Sequence, residues 1–154
     1  MSRLKPGEPA PDFELKDQNG ETVRLSRFRG QSAVALSFYP KDDTSGCTKE
    51  ACAFRDQFAA FRGLAAEVLG VSSDSEAAHR AFASKYNLPF QLLSDPGGRV
   101  RKLYRVKATL GIIPGRETFV IDRQGIIRAT FASQFKPEEH IRQALAALSQ
   151  AGVH

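Results

Sequence analysis

Two sulfur atoms hold the reactive potential of this 154-residue chain: Cys47 and, five positions later, Cys52, with no third cysteine to pair with either. Cys47 closes the run Phe38-Tyr39-Pro40-Lys41-Asp42-Asp43-Thr44-Ser45-Gly46-Cys47, after an apolar stretch and before an amphipathic one. The first turn of a helix leaves backbone N–H groups unpaired and carries partial positive charge, so a sulfur placed there is stabilised as its thiolate. An ordinary thiol ionises near pH ~8.5, whereas helix N-termini and neighbouring cations can bring that down to roughly 3.5–7.5. A lowering of two units corresponds to about 2.7 kcal/mol of preference for the anion. The thiolate is the nucleophile, so the expected chemistry is attack by sulfur.

The spacing restricts what Cys52 can do. In a regular helix five residues advance the axis by about 7.5 Å and separate the two Cα atoms by roughly 8.6 Å. A disulfide tolerates at most about 7 Å, so the pair cannot bond until that turn unwinds. The helical wheel groups Cys47 with Ala51, Phe54 and Phe58 on the buried stripe and turns Cys52 toward the outside. Oxidation of Cys47 to sulfenic acid, unwinding, condensation with Cys52 and later reduction would make a closed cycle.

The elements that must position these groups read as α/β. Phe13 to Lys16 and Thr22 to Leu25 flank an Asn19-Gly20 turn as an N-terminal hairpin, and Ser26 is placed to cap a short helical turn. Ala33 to Tyr39 is a nearly continuous apolar run, the pattern of a strand buried on both faces. From Cys47 one helix is expected through Ala51, Phe54, Phe58 and Phe61, weakened at Gly63. Glu67 to Val71 is a second buried strand, and Ser72 to Ser75 supply cap residues for a helix through Ala78, Phe82 and Tyr86, ended by Pro89. Phe90 to Leu93 is a third strand, Pro96-Gly97-Gly98 a break, and Val100, Leu103 and Tyr104 a short helix. Thr118 to Ile121 and Ile126 to Phe131 form a hairpin across Asp122 to Gly125. A last helix starts at Pro137, buries Ile141, Ala144, Leu145 and Leu148, and stops at Gly152. This order predicts a mixed central sheet flanked by helices, in one domain spanning residues 1–154.

Composition narrows the classes. With 42% hydrophobic and 25% charged residues the chain is neither disordered nor fibrous. The net charge of +5 is spread singly along the chain, which argues against a nucleic-acid interface. Met1 to Gly7 lacks an apolar leader and no stretch has membrane-spanning length, so a cytoplasmic protein without membrane contact is expected. In a reducing compartment two cysteines serve transient redox chemistry better than a permanent staple. His79, His140 and His154 are too far from the cysteines in sequence to suggest a zinc site, and no cofactor is expected.

The segment FYPKDDTSGCTKEAC resembles the active-site region of peroxiredoxins, with Pro40, Thr44 and Cys47 in the family spacing. The five-residue step to Cys52 is similar to the bacterioferritin comigratory protein, or peroxiredoxin Q, branch. The likeness extends from Gly7 to Phe13 through VLGVSSDS and LLSDP to Arg116-Glu117-Thr118-Phe119-Val120-Ile121-Asp122. The resemblance implies a thioredoxin-like fold and two-cysteine reduction of hydrogen peroxide and organic hydroperoxides, with thioredoxin or glutaredoxin as reductant. It implies Cys47 as peroxidatic and Cys52 as resolving residue. It further implies Thr44 and the Cys47 amide as peroxide contacts, Arg116 as support for thiolate and transferring oxygen, Pro40 as a shield against water and Glu50 as orienter of the arginine. An intrachain partner for Cys47 permits a monomer. Two other readings remain: a general thiol-disulfide oxidoreductase, although its usual two-residue dithiol spacing is absent, and a redox-sensing binding module in which unwinding exposes a partner surface.

Overall fold

The computed structural model describes residues 3–107, 115–132 and 136–150. Among these residues seven strands, β1 (Glu14–Lys16), β2 (Thr22–Arg24), β3 (Ala33–Phe38), β4 (Ala66–Ser72), β5 (Gln91–Ser94), β6 (Glu117–Ile121) and β7 (Ile127–Ala132), make one sheet. Its order is β2-β1-β5-β4-β3-β6-β7. The pairs β3–β4 and β4–β5 are parallel while β1–β5, β3–β6 and β6–β7 are antiparallel, so the sheet is mixed as expected. Among the described residues five α-helices complete the fold: α1 (Ser45–Asp56), α2 (Phe58–Gly63), α3 (Glu76–Tyr86), α4 (Arg99–Leu103) and α5 (Pro137–Gln150).

Every residue of β3 and β6 is buried, so both faces of these strands are covered, which explains the nearly continuous apolar run of β3. Alternate residues divide between two cores. Val34, Leu36 and Phe38 pack with Phe119, Ile121, Tyr104 and the N-terminal Leu4, Phe13 and Leu15. Ala33 and Ala35 face the other way, onto Phe54, Phe61, Phe82, Ile141, Ala144 and Leu148 from the helices. The small side chains there let α1 and α5 approach the sheet closely, and the Phe54 and Phe61 rings meet at 5.5 Å.

Local chemistry sets several boundaries. Gly20, at φ +78°, closes the first hairpin while the Asp17 carboxylate accepts from Asn19 N and Glu21 N. Ser75 caps α3, accepting from Ala78 N at 3.1 Å. Three expectations are corrected. Ser26 lies inside the Leu25–Phe28 turn and caps nothing; its own N–H donates to Asp12 Oδ1, so the carboxylate fourteen residues back does the capping. The helix expected through Phe61 is broken at Gln57, whose φ and ψ of −104° and 10° separate α1 from α2. Neither glycine nor proline marks that break, and the apolar spacing continues across it, which is why periodicity alone reads one helix. The α3 helix stops at Tyr86 because Asn87 is left-handed at φ 53°, before Pro89 is reached. The expected stop at Gly152 lies outside the described residues.

Candidate active site

The antiparallel register of β3 and β6 brings the two ends of the site together. Phe38 faces Glu117, so the residues just beyond them, Tyr39 and Arg116, emerge side by side at the end of the sheet. The Pro40 to Thr44 loop then turns the chain into α1, with Thr44 as N-cap in extended geometry and Cys47 in the first turn. Cys47 is 2% exposed. Arg116, itself 4% exposed, donates from Nη2 to Cys47 Sγ at 3.2 Å. A guanidinium and the N-terminus of a helix therefore both face the sulfur.

The other Nη of Arg116 donates to Glu50 Oε1 at 3.0 Å. Glu50 lies one turn after Cys47 on the buried stripe of α1, so one helix presents both the sulfur and the carboxylate to a single arginine. Ser37 Oγ donates to the same Glu50 oxygen at 3.2 Å and lies 3.0 Å from Thr118 Oγ1, its cross-strand partner. Thr118 Oγ1 is in turn 2.8 Å from Nδ1 of the fully buried His140 on α5. Glu50 Oε2 has no hydrogen-bond partner among the described residues and lies 3.5 Å from His140 Nδ1. Burial drives the Glu50 carboxyl up from 4.5 to about 7, against the lowering pull of Arg116 and Ser37.

Pro40, Thr44, Gly46, Cys47 and Arg116 line an open pocket, rimmed by Lys49, Lys136, Glu138 and Glu139. Thr44 Oγ1 donates to the Lys41 carbonyl at 2.8 Å, which leaves its lone pairs free to accept. A Cβ on Gly46 would stand 3.1 Å from Arg116 Nη2, so glycine there lets the guanidinium approach the helix. The loop is fastened from behind by α3. His79 Nδ1 lies 2.7 Å from Asp42 Oδ2, Tyr39 Oη donates to Asp42 Oδ1 at 2.5 Å, and Asp42 N donates to Asp74 Oδ2 at 2.8 Å. Asp43, in left-handed backbone at φ 57°, is held by Lys85 and Tyr86, which together keep its carboxyl below the ordinary range.

Asp42, Asp74 and His79 are close enough to form a metal-sized cluster, but their ligand atoms are engaged with one another, Tyr39, Ser72 and main chain as the loop's fastening. Cys52 is half-buried and, like Cys47, a free thiol. Both stand in the single uninterrupted helix α1, so the condition that separates them beyond bonding range holds.

Five of the six residues singled out from sequence therefore converge: Pro40, Thr44, Cys47, Glu50 and Arg116. Cys52 stands apart on another face of α1. The buried polar chain of Ser37, Thr118 and His140 escaped the sequence reading, as did the Asp42–His79 fastening. The available signals were a serine inside an apolar strand and a histidine beside Ile141 on a buried helical stripe.

A mixed thioredoxin-like sheet that delivers a cysteine to a helix head beneath an arginine defines a thiol peroxidase. The sequence profile of the AhpC/TSA family matches residues 6–130. The chain is 48% identical over 146 residues to chloroplastic peroxiredoxin Q of Populus jackii, covering 94% of this chain and 68% of that one. With the Arabidopsis thaliana chloroplastic peroxiredoxin Q the identity is 50% over 152 residues, covering 98% and 70%. Among solved structures, peroxidoxin BcpB from Mycobacterium tuberculosis superposes with a TM-score of 0.89 at 38% identity, covering 96% of this chain and 98% of that one. A PrxQ mutant from Xylella fastidiosa gives 0.89 at 28% identity, covering 98% and 99%. The chain belongs to the AhpC/TSA family, in its peroxiredoxin Q and bacterioferritin comigratory protein branch.

The cytoplasmic expectation is corrected by the same comparison. The curated relatives that the chain matches are named chloroplastic peroxiredoxin Q, so the cytoplasmic expectation does not stand. Organelle transit sequences are amphipathic and carry no apolar core, so the apolar content of Met1 to Gly7 assigns no compartment. No helix among the described residues is long and apolar enough to cross a membrane.

Proposed function

We propose that Cys47 is the residue that attacks peroxide and Cys52 the one that resolves the product. The observation that carries the reading is the 3.2 Å contact between Arg116 Nη2 and Cys47 Sγ, inside a pocket that also contains Thr44 and Pro40. The Cys47 thiolate attacks one oxygen of ROOH along the O–O axis. The S–O bond forms, the O–O bond breaks, and the departing alkoxide takes a proton from solvent to leave as alcohol or water. Charge builds on both oxygens during this step. Arg116 and the N–H groups at the head of α1 stabilise it, and Thr44 Oγ1 accepts from the peroxide hydroxyl. Pro40 restricts water at the reacting sulfur, and Glu50 orients Arg116.

The Cys47 sulfenic acid then condenses with the Cys52 thiol, forming the S–S bond and releasing water, after α1 unwinds between them. A dithiol protein of the thioredoxin type, or glutaredoxin, reduces the disulfide by exchange, and the chain works as a monomer because both sulfurs are its own. Peroxide consumption by a thioredoxin system tests the assignment. Cys47→Ser should abolish turnover, and Cys52→Ser should allow one oxidation and then stall; undiminished cycling in either variant would refute the corresponding role.

A further inference from the structure

Arg101 is a second arginine at this site, brought from α4. The Asp95 carboxylate fixes its backbone, accepting from Val100 N and from Arg101 N at 2.9 Å. Its half-buried guanidinium passes the Phe38 ring at 5.9 Å and divides its donors between two carbonyls: Nη2 to Tyr39 O at 2.7 Å and Nη1 to Gly115 O at 2.5 Å. Tyr39 is the residue before Pro40, and Gly115 is the residue before Arg116. One rigid fork thus joins the segment that starts the cysteine loop to the segment that delivers the arginine. The strands cannot do this themselves, because the β3–β6 ladder ends at the pair Phe38 and Glu117. Gly115 is closely seated: a Cβ there would fall 1.8 Å from Lys107 O, so the backbone bearing Arg116 is pressed against its neighbour on one side and gripped by Arg101 on the other.

We propose that Arg101 is a positioning residue of the peroxide reaction, setting the approach of Arg116 to the Cys47 sulfur by holding the Tyr39 and Gly115 carbonyls in one fork. The proposal rests on Cys47 being the attacking residue. Arg101 also senses the charges around it: burial lowers its pKa, while Asp95 and Cys47 act in the opposite direction and Arg116 in the same one. The charged groups bearing on the sulfur are therefore Arg116 and Arg101, with Glu50 behind Arg116 and Lys49, Lys136, Glu138 and Glu139 at the pocket rim.

The test compares Arg101→Met and Arg101→Lys in the full reduced chain. It measures the single-turnover rate of Cys47 oxidation by hydrogen peroxide, the rate of Cys47 alkylation by iodoacetamide, and Tm. Arg101→Met should slow oxidation about tenfold through misplacement of Arg116, while alkylation, which needs no support for a transferring oxygen, changes less. Arg101→Lys should leave most of the loss in oxidation rate although it keeps the positive charge, because an ammonium cannot hold both carbonyls in a planar fork. Wild-type oxidation rates in a folded Arg101→Met would overturn the proposal. If that variant fails to fold, a wild-type rate in Arg101→Lys overturns it equally. Cys47→Ser in parallel separates the two claims: retained peroxide consumption there defeats the assignment of Cys47 itself, whatever Arg101 does.

Discussion

Arg116 grips Glu50 and Cys47 with the two ends of one guanidinium, Nη1 at 3.0 Å from the carboxylate and Nη2 at 3.2 Å from the sulfur. The carboxylate fixes the direction of the fork and competes with the sulfur for its charge. Arg116→Met removes the fork and is expected to cut the second-order rate with peroxide by about 100-fold or more, as the loss of a charge-stabilising donor does elsewhere. Stopped-flow peroxide kinetics on the reduced chain measures the loss.

Glu50 gives the fold a pH dependence of predictable sign. Its carboxyl ionises at about 7 in the folded chain against 4.5 ordinarily, so between those values the native state keeps a proton that the unfolded chain has lost. Stability from this group is therefore fully present below about pH 4.5 and falls as pH rises to about 7, by an amount on the order of 3 kcal/mol, and changes little above that. Glu50→Gln should flatten this part of a denaturation series measured across pH. A series with the same slope in variant and wild type would assign the proton elsewhere.

Gly46 is the point where bulk would reach the chemistry without touching the reacting atoms. In Gly46→Ala the added methyl meets Arg116 Nη2 at 3.1 Å, a contact the guanidinium must relieve by moving. Alanine suits a helix better than glycine, so Tm should hold or rise slightly while the rate of peroxide reaction drops about tenfold. Paired thermal and kinetic measurements would separate the two responses.

His79 fastens the loop that presents the cysteine, through its 2.7 Å contact with the buried Asp42 carboxylate. His79→Ala leaves Asp42 Oδ2 without its imidazole partner, with only Tyr39 still donating to Oδ1, and should cost about 3 kcal/mol in chemical denaturation, with a lower peroxide rate from a looser Pro40 to Thr44 segment. His79→Gln, able to donate one N–H to Asp42, should recover part of both.

Much of this arrangement is legible in the residues because strong local rules act there. The apolar runs of β3 and β4, the Asn19-Gly20 turn and the Ser75 cap each state their conformation within a few positions. Cys47 is legible for the same reason, at a junction of apolar strand and amphipathic helix, while Pro40 and Thr44 take their roles from the family spacing around it. Arg116 is visible only through family resemblance, since nothing local says that a β3–β6 register will carry it to Tyr39. The Ser37, Thr118 and His140 chain and the Arg101 fork depend wholly on which strands become neighbours. A single sequence carries no local signal for that. The break at Gln57 is the reverse case, a local departure that the apolar period conceals.

The most direct measurement is a rapid-quench reaction of the fully reduced chain with one equivalent of hydrogen peroxide, mapped by peptide mass at successive times. The account predicts oxygen on Cys47 first, then a Cys47–Cys52 disulfide that appears together with a loss of helical signal from α1. Oxygen arriving first on Cys52, or a disulfide forming while α1 stays fully helical, would contradict it.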